Sequence, residues 1–210
     1  MRTWVATTLT AWTVALMLLG LVGRARAADD KPVDLAVGAT APAFAATDDA
    51  GKPWKSANHV GKKIMVVYFY PGDFTPGCTA QARRFRDDMN KLTEQGVEVI
   101  GISGDATGSH ALFKKAQQLN FTLLADEDGA LAKQFGVPLG KGAEVKARGA
   151  DNKQLKDAAG KEIIIKRGVT AARWTFIIGK DGKIVYKNTK VVPARDSKEV
   201  SDFIAKMEKK

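Results

Sequence analysis

The chain's single cysteine, Cys78, closes the run Tyr68-Phe69-Tyr70-Pro71-Gly72-Asp73-Phe74-Thr75-Pro76-Gly77-Cys78. Ahead of this turn, residues 64–70 are apolar, β-branched and aromatic, the pattern of a buried central strand. Beyond it, Cys78, Ala82, Phe85, Met89 and Leu92 recur at steps of 4, 3, 4 and 3, one face of an amphipathic helix. The thiol therefore belongs to the first turn of a helix that follows a strand. Unpaired backbone N–H groups and the positive end of the helix dipole favour a thiolate there, and the thiolate is the nucleophilic form. Thr75, three residues earlier, sets a hydroxyl one turn away, within reach of the sulfur or of a bound oxygen. Pro71 and Pro76 shape the turn and shield it from water. The same spacing also suits an inert, buried cysteine acting as a small hydrophobe, and a threonine ahead of a helix is an ordinary cap. On the residues alone, both readings stand.

Other chemistries are poorly supplied. One cysteine excludes an intrachain disulfide framework, a CxxC redox pair and a cysteine-rich zinc site, and the two histidines, His59 and His110, lie far apart in sequence. No metal or other cofactor is expected. The formal charge of +10 is spread among acidic residues, with no basic tract interleaved with aromatics, so nucleic acid is not an expected partner.

The first residues read as a targeting segment. From Thr3 to Gly23 there is no charge, Arg2 precedes the run, and Ala25-Arg26-Ala27 has the form of a cleavage site. Residues 1–27 are expected to be a secretory signal peptide, cut after Ala27, and the protein to be exported, periplasmic or extracellular. The alternative is an uncleaved membrane anchor over residues 3–23, because about 20 apolar residues span a bilayer. Cleavage removes Arg2, Arg24 and Arg26 and no acid, so the net charge falls from +10 to +7. A lone thiol sent to an oxidising compartment is worth flagging as reactive.

The remaining elements must hold that turn in place. Residues 97–102 form a second core strand, Ser109 opens a helix carrying Leu112, Ala116 and Leu119, residues 121–124 are a short strand, and residues 130–135 a short helix ended by Gly136. Residues 173–178 and 183–186 flank Lys180-Asp181-Gly182, a hairpin signal, and Ser197 opens a last helix with Val200, Phe203, Ile204 and Met207 on one side. Strands and helices alternating in this order imply one domain over residues 28–210, built on a mixed sheet with helices on both faces. Residues 139–168 stand apart: they are rich in charge and glycine and read as a surface insertion, partly a β-hairpin, whose simplest account is a tolerated excursion.

The sequence also resembles a known family. Pro71-x-x-x-Thr75-x-x-Cys78 is similar to the peroxiredoxin active-site signature, and Asp73-Phe74-Thr75-Pro76-Gly77-Cys78-Thr79 resembles the peroxiredoxin Q, or bacterioferritin comigratory protein, branch. Gly38–Phe44, Gly101–Asp105, Leu123–Asp126 and Arg173–Gly182 match further blocks of that family in order. The resemblance implies a thioredoxin-like α/β sandwich and a thiol-dependent peroxidase acting on hydrogen peroxide and organic hydroperoxides. It makes Cys78 the peroxidatic nucleophile, Thr75 a hydrogen-bonding partner of the substrate, Arg173 the cation that holds the thiolate and polarises the peroxide, and Pro71 part of the pocket wall. A planar guanidinium suits this task, because its fork addresses sulfur and oxygen together. Away from that block, Arg173 would read as a surface strand arginine.

One departure bears on the mechanism. Many members of this branch carry a second cysteine five residues after the first, and here that position is Arg83. A sulfenic acid on Cys78 then has no partner in the chain, which implies a one-cysteine enzyme reduced by an outside thiol, either a thioredoxin-like protein or a small thiol. Arg83 otherwise reads as a solvated helix-face arginine that adds positive potential, and Gln81 as a secondary member of the turn's polar network. The chain is expected as a monomer or weak homodimer. The competing reading of the same fold is a redox sensor or thiol–disulfide relay without turnover.

Overall fold

The computed structural model describes residues 33–207. The expected signal peptide over 1–27, with its anchor alternative over 3–23, lies outside the described residues. Among those described, no helix is long and apolar enough to cross a membrane.

A seven-stranded sheet forms the centre, in the order β2-β1-β5-β4-β3-β8-β9. Its strands are β1 (Ala45–Asp48), β2 (Pro53–Lys55), β3 (Ile64–Phe69), β4 (Val97–Ser103), β5 (Thr122–Ala125), β8 (Trp174–Ile178) and β9 (Ile184–Asn188). The helices are α1 (Pro76–Glu94), α2 (Thr107–Gln117), α3 (Ala130–Gln134) and α4 (Asp196–Met207). β3 runs parallel to β4 and antiparallel to β8, which makes the sheet mixed. Every residue of β3 is buried, because the strand is covered on both faces. Its period of two divides the core: Val66 and Tyr68 face Phe85 and Leu92 of α1, Phe113 of α2 and Ile204 of α4. Met65, Val67 and Phe69 face Leu131 and Ala132 of α3, with Phe135, Phe44 and Trp54 beside them. Burying one such apolar side chain contributes roughly 1.5–3 kcal/mol, so the helix-covered strand is the rigid base of the turn that follows it.

The ends of α2 and the start of α4 differ from the expectation. α2 begins at Thr107 rather than Ser109, with Ala106 extended ahead of it. It stops at Gln117 because Gln118 turns left-handed (φ 54°), which leaves the buried Leu119 beyond the helix. α4 starts one residue early, at Asp196.

Residues 139–171 are more than a tolerated excursion. β6 (Leu139–Lys146) and β7 (Ile164–Ala171) pair antiparallel as an arm of two strands, extended by bridges Arg148–Gln154 and Lys156–Glu162. Ala147 and Ile165 of this arm pack into the core on the α1 face, and Arg167 is buried too. Alternation along β7 explains the anchoring, since Ile165 and Arg167 share the inward side while Ile164 and Lys166 face water.

Candidate active site

The turn between β3 and α1 is built to be held from below. Tyr70 continues the β3–β4 pairing by one bond to the Ile102 carbonyl (3.0 Å), and Pro71 is half-buried behind it. A Cβ on Gly72 would fall on the Arg167 guanidinium, so only glycine lets the arm approach there. Phe74 takes a left-handed backbone (φ 61°), a conformation costing of order 1–3 kcal/mol for such a residue, and it persists because the surroundings impose it. Pro76 then opens α1, where its missing N–H costs nothing. Thr75 stands at the cap position, yet its side chain makes no capping bond. Its hydroxyl donates instead to the Gly72 carbonyl (3.1 Å), leaving the oxygen lone pairs to accept.

Cys78 lies on the apolar face of α1 at 1% exposure. Its Sγ accepts a hydrogen bond from Arg173 Nη2 at 3.1 Å. Arg173 sits at the junction of the arm and β8. Its other terminal nitrogen, Nη1, donates to Gln81 Oε1. Gln81 in turn donates Nε2 to Asp196 Oδ2 (2.6 Å), which also accepts from Thr175 Oγ1 (2.8 Å). Burial pushes the Asp196 carboxyl up to about 6, against the pull of the hydrogen bonds from Thr175 and Gln81. Three side chains, Gln81, Asp196 and Thr175, thus fix one guanidinium against one sulfur.

A second polar cluster lies under the same turn. The Asp73 amide donates to Asp105 Oδ2 (2.7 Å), and Ser103 Oγ donates to the same oxygen (2.8 Å). Arg167 Nε pairs with Asp105 Oδ1 at 2.8 Å, and its Nη2 donates to the Asp73 carbonyl at 2.9 Å. The Asp73 carboxylate accepts from Tyr70 Oη (2.7 Å) and meets His110 Nδ1 (2.9 Å), while His110 Nε2 faces the Leu124 carbonyl (3.2 Å). Two acceptors call for two N–H donors, so this geometry favours the imidazolium form of His110. Burial works against that charge, but the charge and hydrogen bond of Asp73, with Asp105 behind it, outweigh burial and raise the histidine. Burial and the neighbouring Asp73 raise Asp105, opposed by Arg167 and its hydrogen bonds.

The structure brings Cys78, Thr75 and Arg173 to one turn and places Pro71 at its start. Arg83 is engaged rather than merely solvated: it donates twice to Gln117 Oε1 (2.9 and 2.6 Å) and once to the Ala150 carbonyl (3.1 Å). Gln81, read from sequence as secondary, is the residue that holds Arg173. Sequence reasoning missed Asp196, His110, Asp105 and Arg167 as supports of the site. Arg167 left a trace, two residues after Ile165 in an alternating run. Asp105 closed a matched block. His110 and Asp196 left none.

Residues 37–187 match the AhpC/TSA family. The chain is 50% identical over 101 residues to the chloroplastic peroxiredoxin Q of Sedum lineare, a match covering 48% of this chain and 54% of that protein. It thus spans about half the length of the curated relatives it matches. Among solved structures, peroxidoxin BcpB from Mycobacterium tuberculosis superposes with a TM-score of 0.65 at 25% identity, covering 82% of this chain and 98% of that one. The bacterioferritin comigratory protein of Xanthomonas campestris, described for its alkyl peroxide reduction activity, gives 0.63 at 26% identity, covering 82% and 97%. The mixed sheet with helices on both faces is thus the thioredoxin-like sandwich of these structures, and the chain belongs to the AhpC/TSA family, with its resemblance to the peroxiredoxin Q type borne out.

Proposed function

We propose that this protein is a one-cysteine, thiol-dependent peroxidase. The observation that carries the reading is the 3.1 Å hydrogen bond from Arg173 Nη2 to Cys78 Sγ, made by a guanidinium already fixed through Gln81. The charge stabilises a thiolate, and the adjoining N–H groups meet the oxygen that becomes negative as the O–O bond breaks. In the first step Cys78 Sγ attacks the nearer peroxide oxygen, the O–O bond breaks, and with one proton taken up the products are a sulfenic acid and water or an alcohol. Thr75, whose hydroxyl donates to Gly72, offers lone pairs to the peroxide's O–H, and Pro71 walls the pocket. In the second step an outside thiol attacks the sulfenic sulfur and expels water, leaving a mixed disulfide. A further thiol then exchanges with it and restores Cys78. The alkyl peroxide reduction described for the Xanthomonas campestris relative supports organic hydroperoxides as substrates beside hydrogen peroxide.

The test is direct. Peroxide followed by a sulfenate-trapping reagent is expected to add one label per chain, at Cys78, and none to Cys78→Ser. Labelling no faster than in the denatured chain would overturn the reading. Export belongs to the same proposal, supported by the charge-free run Thr3–Gly23 and by Ala25-Arg26-Ala27; a mature N-terminus at Ala28 in the expressed protein is the expected result.

A further inference from the structure

On the peroxidase reading just given, Cys78 needs a second substrate, and the direction of its approach is constrained. A thiol displaces the sulfenic oxygen in line, from the side of sulfur opposite the S–O bond. Residues of α1 advance by about 100° each, so successive side chains mark out where that side lies. Gly77 and Gln81 face Arg173: a Cβ on Gly77 would lie 3.4 Å from Nη2, and Gln81 accepts from Nη1. A peroxide held by Arg173 leaves its oxygen on that flank of Cys78. On the other flank lie Thr79 and Arg83, and beyond them a cavity of about 670 Å³ between α1 and the arm, lined also by Phe74, Val145, Lys146 and Arg148.

The walls of this cavity are apolar, from Phe74 and Val145, and every charged side chain that lines it is a cation. Lys146 is neutralised by Glu162 at 2.7 Å. Arg83 and Arg148 are not: their hydrogen bonds go to neutral acceptors, the Gln117 side chain and the carbonyls of Ala150 and Asn152. Among the described residues neither has a carboxylate within ion-pair distance. Phe74 packs in the same core cluster as Cys78 and also lines the cavity, so its ring stands between the two.

We propose that this cavity is the reductant site and that it takes a small thiol bearing carboxylates. The carboxylates pair with Arg83 and Arg148, and the thiol reaches Cys78 past Phe74. The thiolate forms the S–S bond as the S–O bond breaks, and the departing hydroxide takes up a proton to leave as water. A second molecule of the same thiol then attacks the mixed disulfide and releases Cys78 as a thiolate; the two thiols have supplied both electrons and leave joined as a disulfide.

The experiment isolates the second step. The full-length protein is oxidised with one equivalent of peroxide, and loss of sulfenate is followed with mercaptosuccinate, 2-mercaptoethanol or cysteamine at equal thiolate concentration. The anionic thiol is expected to react at least roughly tenfold faster than the cationic one, with a preference that shrinks as salt is raised. Arg148, at the exposed edge of the arm, can be changed without loss of core, and Arg148→Glu is expected to abolish the preference. Lys141→Glu, on the same arm but outside the cavity, is expected to keep it. Equal rates for the three thiols, or a preference that survives Arg148→Glu, would overturn the site alone. Absence of sulfenate in the first phase would overturn the peroxidase reading and the site with it.

Discussion

Arg167 and Arg173 approach the Pro71–Cys78 turn from two sides, and their partners differ in kind. Arg167 comes from the arm with its side chain 1% exposed and faces a carboxylate, Asp105, that is wholly buried. Its Nη2 donates to the Asp73 carbonyl. Its charge is cancelled where it stands, and what it contributes is the shape of the backbone at Gly72 and Asp73. Arg173 is only half-buried and touches a neutral amide and a sulfur. The nearest acid in its network, Asp196, is one side chain removed, behind Gln81. Its charge is therefore still available to the group that reacts. A neutralised cation fixes geometry; an uncancelled one, held by neutral ligands, acts on a transition state.

The contrast can be broken most sharply at Arg167. Arg167→Met leaves Asp105 buried without its counter-charge, and unfolding in urea is expected to show a loss of about 3–5 kcal/mol. Adding Asp105→Leu removes the orphaned charge and is expected to recover much of that loss. A single variant as stable as the parent would show that the pair does not hold the turn. At Arg173 the expected pattern is inverted. Arg173→Lys keeps a charge but loses the fork, and the rate constant for sulfenate formation is expected to fall about 100-fold, or about 2.7 kcal/mol, with little change in the urea midpoint. A rate within twofold of the parent would move Arg173 to the structural side of the comparison.

The two clusters were unequally legible in the sequence for a physical reason. The central sheet, α1 and the position of Cys78 follow from periodicity: a strand buried on both faces and a helix with one apolar stripe write their burial into residue type. Arg173 lay within a contiguous block that the family resemblance could match. The second cluster is assembled from Asp73, Asp105, His110 and Arg167, which are scattered along the chain and meet only because β3, β4, α2 and the arm converge. A buried charge carries no apolar signature; its partner, not its type, decides whether it faces the core or water. The arm was misjudged on the same account. Its lysines and glycines read as solvent-facing, and only the alternation Ile165, Arg167 hinted that one side of β7 faced inward.

The acid in each cluster gives a finer test through pH. Asp196 is raised by burial to about 6, so the native state holds its proton at a pH where the unfolded chain has released it. Stability from this group therefore falls as pH rises from the unfolded value of 3.8 to about 6, and the cost then stays constant above that. Asp196→Asn keeps an acceptor for Gln81 and Thr175 but cannot ionise. Relative to the parent, its unfolding free energy is expected to improve by on the order of 2–3 kcal/mol between pH 4 and pH 7. An offset that does not change with pH would mean that Asp196 is ionised without cost and that Arg173 is screened after all.

His110 gives the same sign in a higher pH window, above 6.5, and the smallest effect. Its pKa is raised from 6.5, because Asp73 and Asp105 outweigh the cost of burying the charge. The native state therefore holds this proton more tightly than the unfolded chain, so the stabilisation is complete below pH 6.5 and is lost as pH rises through the native pKa. His110→Gln can still donate to Asp73 but has no proton to lose in this range, and its unfolding free energy is expected to stay flat where the parent's declines. The rate constant for sulfenate formation, corrected for thiolate, is expected to follow the same decline in the parent but not in the variant, since loss of the imidazolium loosens Asp73 and with it the turn that carries Cys78. If stability declines in the parent and that rate does not, the cluster under the turn holds the fold alone, and the division of labour between the two arginines is sharper than the geometry implies.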